Sequence, residues 1–200
     1  MNYAEREQSQ DRRAGLTEDR SKVGTLRAAS ERQEQTKDRK AGLMEKAEGK
    51  KVFLMGGGIG IPPMLQLAKE LNAQKQIVVG YRNQDLFLQE DLSRNGDVYI
   101  ATEDGSVGTK GNVMDAIAAN ALDAEVIFVC GPMPMLRAIK KYAAEKGIPA
   151  YISLEERMAC GVGACLGCVC KTTKKDHHSH VNNARVCTDG PVFEAKEVDI

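Results

Sequence analysis

The sequence predicts an α/β fold: a five-stranded parallel sheet covered by helices, with a small cysteine-rich module after it and a charged tail before it. Three observations carry this. From residue 51 onward, short apolar runs alternate with stretches of helical spacing, the signature of βα units. The apolar runs are nearly continuous, as strands buried on both faces require. Four of the six cysteines crowd into residues 160–170, at the point where the alternation stops.

The elements follow in order. Residues 1–51 hold 23 charged residues and few apolar ones, too few for a core, so residues 1–50 are expected to be a disordered or helical tail. Val52–Met55 reads as a buried strand ending in glycines. Pro62 to Leu71 reads as a helix, with proline at its start. Gln76–Gly80 is the second strand, Asp85–Leu92 a short helix opened by an acidic cap, and Val98–Ala101 the third strand. A helix over Gly111–Ala119, a strand at Val126–Cys130, a helix over Met133–Lys146 closed by Gly147 and a strand at Ala150–Ser153 complete the pattern. The expected division is residues 51–155 for the sheet domain and 156–200 for the cysteine module.

Composition excludes several classes. Lys and Arg number 28, as do Asp and Glu, so no net charge draws the chain to nucleic acid or to a membrane surface. No apolar run approaches the roughly 18 residues of a membrane span, and residues 5 onward are too charged for a signal peptide. A cytoplasmic location is expected. In that compartment six cysteines point to metal or redox chemistry rather than disulfides.

Two segments carry a possible ligand site. Gly56, Gly57, Gly58 and Gly60, with Pro62, stand between the first strand and first helix. Glycines there let backbone amides approach a pyrophosphate near a helix N-terminus. The segment is not G-x-G-x-x-G, since Pro63 occupies the third glycine position, and Tyr81-Arg82 stand where an acidic ribose partner would be looked for. A tight turn without a ligand is the alternative. Cys130-Gly131-Pro132 ends the fourth strand, on the sheet edge where open α/β folds bind ligands; Cys130 alone also fits a core cysteine.

Cys160-x4-Cys165-x2-Cys168, followed by Cys187, has the plant-type ferredoxin spacing. Four thiolates must converge on two irons, and Gly161, Gly163 and Gly167 let one loop wrap three of them. The competing metal is zinc on Cys165, Cys168, His177 and His180, which leaves Cys160 and the glycine wrap without a purpose. A Rieske centre would need Cys-x-His pairs, which are absent. Cys170 reads as a core thiol or a substitute ligand.

The glycine loop and the Cys-Gly-Pro segment resemble the nucleotide half of the ferredoxin reductase superfamily, as does Thr102–Gly108 after the third strand. That resemblance implies nicotinamide nucleotide binding at Gly56, Gly57, Gly58, Gly60, Pro62, Tyr81, Arg82, Cys130, Gly131 and Pro132. Ser153–Cys170 and Val186–Phe193 make the resemblance narrower. They are similar to the electron transfer subunit of class B dihydroorotate dehydrogenase. The similarity implies a [2Fe–2S] cluster on Cys160, Cys165, Cys168 and Cys187, NAD, FAD, and a catalytic dihydroorotate dehydrogenase partner in pyrimidine biosynthesis. It implies no acid–base catalyst in this chain. That family places a flavin-binding β-barrel before the nucleotide domain. Residues 1–51 carry no such pattern, so the expectation here is a cluster with little FAD. Alternatives are a carrier subunit of another reductase of the superfamily, or a non-enzymatic metal-binding module.

Overall fold

The structure, a computed structural model, describes residues 40–175 and 181–200. Most of the expected tail, together with His177 and His180, lies outside the described residues. Residues 40–47 form helix α1. One compact unit runs from Met44 to Ile200. Its elements are β1 (Lys51–Gly57), α2 (Ile61–Glu70), β2 (Gln74–Tyr81), α3 (Gln89–Ser93), β3 (Asp97–Thr102), β4 (Thr109–Lys110), α4 (Val113–Ala119), β5 (Val126–Cys130), α5 (Met133–Lys146), β6 (Ala150–Ser153), β7 (Val169–Lys171), β8 (Asn183–Arg185), α6 (Val186–Asp189) and β9 (Val192–Glu194).

Seven strands form one sheet in the order β4-β3-β2-β1-β5-β6-β9. The five expected strands are its parallel centre. Val52, Phe53, Leu54 and Met55 of β1 are all fully buried; burial of each stabilises by about 1.5–3 kcal/mol. This is why β1 reads as an unbroken apolar run. Helix α2 buries Ile61, Met64, Leu65 and Ala68, the face its spacing predicts. Helix α4 starts at a capping box in which Asn112 and Asp115 satisfy each other's backbone amides. Helix α5 ends at Gly147 with φ +68.

The sequence reading needs three changes. The helix expected over Asp85–Leu92 is shorter, Gln89–Ser93. The Asn83 side chain accepts the Asp85 amide at 3.0 Å, forming a local turn that competes with helix, and Leu88 sits at φ 61. Two edge strands extend the sheet, parallel β4 and antiparallel β9. The last turns before β1 also belong to the fold: Ala47 is fully buried, and the Lys46 ammonium stands 4.9 Å over the Tyr151 ring.

The cysteine-rich segment is built into this sheet. Its last strand, β9, pairs with β6 through Ile152 and Phe193. Cys168, Cys170, Val186, Phe193 and Val198 share one apolar cluster with Val129, Leu136 and Ile152. Strands β7 and β8 form a separate two-stranded ribbon.

Candidate nucleotide crevice and cysteine site

The connections from β1 run toward β2 and β3 on one side, and β5 and β6 lie on the other. The strand order therefore reverses between β1 and β5, where open α/β sheets form their ligand crevice. The glycine loop closes β1 and Cys130-Gly131-Pro132 closes β5, so both segments line that crevice. They touch closely. A Cβ on Gly57 would stand 2.7 Å from Met135 Sδ and 3.0 Å from Pro132 Cδ, and one on Gly60 would overlap the Cys130 carbonyl. Gly60 therefore excludes any side chain, since the clash is with backbone, while a side chain at Gly57 would require Met135 to move.

The helix start departs from the phosphate-binding pattern. Ile61 donates its amide to Gly58 O, and Pro62 and Pro63 have none to give. The dipole of α2 still favours an anion, but its first turn offers no amide from these three residues.

Beside the crevice, Cys130 is buried and burial pushes its thiol up; the Ser153 hydroxyl opposes that rise and the Glu155 carboxylate adds to it. Cys130 Sγ stands 3.9 Å from Glu155 Oε1. Ser153 lies beside Cys130 in the β5–β6 register. Sequence reasoning did not single out Ser153 or Glu155 as crevice residues, because strand pairing brings Ser153 there and the segment leaving β6 brings Glu155. Tyr81 is buried, and its hydroxyl donates to Phe87 O at 2.7 Å. It holds the loop after β2, while Arg82 is exposed. The loop after β3 is tied to the same edge: Glu103 N–H donates to Tyr81 O at 3.1 Å. Thr102 closes that loop by donating to Val107 O at 2.8 Å.

The second site is the loop 160–168 with Cys187 on α6. Val162 and Cys165 amides both donate to Cys160 Sγ at 3.4 Å. Gly167 donates to Cys165 Sγ and Cys187 to Cys168 Sγ, each at 3.4 Å. Amides aimed at sulfur favour the thiolate. The Val162 and Cys165 amides, with the Cys165 side chain, bring the Cys160 thiol down to about 6. The Cys168 thiol beside Cys187 holds the latter up, and burial adds to this.

Backbone amides link the four cysteines in two pairs, Cys165 N–H to Cys160 Sγ and Cys187 N–H to Cys168 Sγ, and the Cys160 thiol acts on Cys187 as well. Among the described residues, no three His, Cys, Asp or Glu side chains gather in the arrangement a single metal ion needs. Two pairs of thiols fit two irons, two thiolates on each, and the sulfur-directed amides fit the negative charge such a centre carries. Cys170 is buried on β7, where burial pushes its thiol up.

The turn bearing Cys187 is closed by an ion pair. Arg185 Nε and Nη2 donate to the two Asp189 carboxylate oxygens at 3.2 and 3.3 Å, and the Arg185 amide donates to Asp189 Oδ2 at 2.8 Å. No sequence pattern used above singled out this pair.

Residues 155–199 match the family model described as the iron-sulfur cluster binding domain of dihydroorotate dehydrogenase B, and residues 54–141 match the oxidoreductase NAD-binding domain. The chain is 44% identical over 155 residues to the dihydroorotate dehydrogenase B (NAD(+)) electron transfer subunit of Caldanaerobacter subterraneus subsp. tengcongensis, covering 77% of this chain and 61% of that protein. The subunit of the same name from Fusobacterium nucleatum subsp. nucleatum is 46% identical, with 74% and 57% covered. The chain spans about three fifths of the length of these relatives. A solved structure of an NADH-dependent reduced ferredoxin-NADP oxidoreductase, from work on flavin-based electron bifurcation, superposes with a TM-score of 0.65 at 29% identity. It covers 74% of this chain and 54% of that one.

Proposed function

We propose that this chain, which aligns over three quarters of its length with electron transfer subunits of dihydroorotate dehydrogenase B, is one of them and passes electrons between NAD and a dihydroorotate-oxidising partner. The observation that carries the reading is one compact unit containing both a switch-point crevice and a loop of paired thiols. Glu155 reaches Cys130 at the crevice and precedes Cys160 by five residues. Five extended residues span at most about 18 Å, so crevice and thiols are near neighbours.

With both groups bound, the crevice would let NAD accept a hydride and the thiols would hold a [2Fe–2S] cluster that relays single electrons, the exchange between the two requiring a flavin. The residues prepare both sites. Gly57 and Gly60 keep side chains out of the crevice floor, and the Pro62-Pro63 start of α2 fixes the loop. Cys130, Ser153 and Glu155 stand at the crevice mouth, and Arg82 is the exposed cation at the adenosine side. Cys160, Cys165, Cys168 and Cys187 are the proposed ligands. Val162, Cys165, Gly167 and Cys187 amides offset thiolate charge.

The exposed Met158, Val162 and Leu166 ring the cysteine loop with apolar surface that a partner flavoprotein would cover. Among the described residues no antiparallel barrel occurs. The free thiols of the described cysteines suit a reducing cytoplasm, and among the described residues no helix is long and apolar enough to cross a membrane.

The test is co-purification with a dihydroorotate-oxidising flavoprotein, expected to give a complex that reduces NAD with dihydroorotate. No association would overturn the partner. A second reading, a carrier subunit of another ferredoxin-reductase-type enzyme, draws on the 0.65 superposition; electron exchange with ferredoxin but not with the dihydroorotate-oxidising partner would favour it.

A further inference from the structure

We propose that the Arg185–Asp189 ion pair is a positioning device for Cys187 and sets the reduction potential of the centre on Cys160, Cys165, Cys168 and Cys187; this rests on the cluster reading above. Helix α6 is weak on its own. It has four residues, Val186–Asp189, and no side-chain cap hydrogen bond. One helical turn does not hold itself together in water. What closes it is Asp189, which accepts from the Arg185 amide and from Nε and Nη2 of its guanidinium. Thr188 adds a hydroxyl donated to Asp189 Oδ1 at 3.2 Å. Cys187 lies inside this closed turn, so the direction of its thiol follows from the pair.

The same guanidinium reaches the loop of the other three cysteines. A Cβ on Gly163 would stand 3.4 Å from Arg185 Nη1 and 3.0 Å from Thr188 Cγ2. Gly163 lies between Cys160 and Cys165. The Arg185 guanidinium thus lies against the loop carrying the first two cysteines, next to the fourth cysteine's turn.

Charge at this position acts on electron affinity. A cation beside the centre favours the form with one more electron, and a carboxylate opposes it. The two members of the pair therefore push the potential in opposite directions. A merely structural brace would not: breaking it from either side would loosen the same turn in the same way.

The experiment is an EPR-monitored redox titration of the iron-loaded chain, with iron content measured alongside. R185Q is expected to shift the midpoint to more negative values, D189N to more positive values, and R185K to stay near wild type. Shifts of the same sign in R185Q and D189N, or no shift in either, overturn the proposal. Should R185Q lose its iron, D189N decides: a positive shift supports the proposal, and an unchanged or negative one overturns it. A wild-type chain holding no two-iron centre overturns the cluster reading itself, whereas a wild-type cluster indifferent to both charges overturns only this inference.

Discussion

In the crevice, Gly57 and Gly60 lie where two segments at the ends of buried strands press together, and any side chain would collide with Met135, Pro132 or the Cys130 carbonyl. In the cysteine loop, Gly163 takes φ +78, and its neighbours Val162 and Leu166 are exposed, Leu166 by 64%. One site is shaped by packing against a complete core. The other is shaped by backbone wrapped around sulfur, with little apolar burial of its own. The difference teaches which site can exist before its ligand arrives. The crevice is a product of folding, while the proposed cluster would add order to the loop when bound.

The largest effect that sharpens this contrast is removal of a proposed ligand. C168S or C187S should lower iron from about two atoms per chain to nearly none, read by metal analysis. The far-UV circular dichroism of the sheet should stay close to wild type. Loss of sheet signal in step with iron would break the comparison. C170S, at a buried cysteine outside the pairs, should keep its iron.

Next comes the crevice. G60A forces a Cβ into the Cys130 carbonyl and should destabilise the fold by about 1–3 kcal/mol, measured by urea unfolding, and weaken NAD binding with iron content unchanged. G163A should act the other way round. A left-handed backbone costs an L-residue roughly 1–2 kcal/mol, and that strain should appear as faster iron loss to a chelator while NAD binding holds.

The smallest effect lies at the edge of the crevice. Y81F removes the bond to Phe87 O and should cost about 1 kcal/mol at neutral pH. Burial raises the Tyr81 hydroxyl above its ordinary value, so the folded state keeps that proton longer than the unfolded chain. Its contribution is fully present below about pH 10 and is lost as pH rises through the higher folded value. Wild-type stability should therefore fall more steeply above about pH 10 than that of Y81F. Burial raises Tyr142 as well, so Y81F should flatten the fall only in part.

The sheet was legible because its strands are buried on both faces: Val52–Met55 and Val126–Cys130 have no polar interruption to confuse the pattern. The short pieces were not. β4 has two residues and β9 has three, below the length at which any period can be read. The turn at Asn83 hid the true start of α3, because an acidic residue before an apolar run looks like a cap whether or not the backbone is helical. At the cysteine site, spacing alone pointed to Cys160, Cys165, Cys168 and Cys187, since ligand count and loop glycines are local features. Ser153 and Glu155 beside Cys130 come from strand pairing and the segment leaving β6. The Arg185–Asp189 clasp looks in sequence like two ordinary surface charges four residues apart.

The central claim is that four cysteines in two pairs hold two irons. Iron, acid-labile sulfide and zinc analysis of the anaerobically purified chain, with its visible spectrum, tests it most directly. The account predicts about two irons and two sulfides per chain, no stoichiometric zinc, and an absorption that bleaches on reduction. Stoichiometric zinc without sulfide, or a chain free of iron after anaerobic reconstitution, would contradict it.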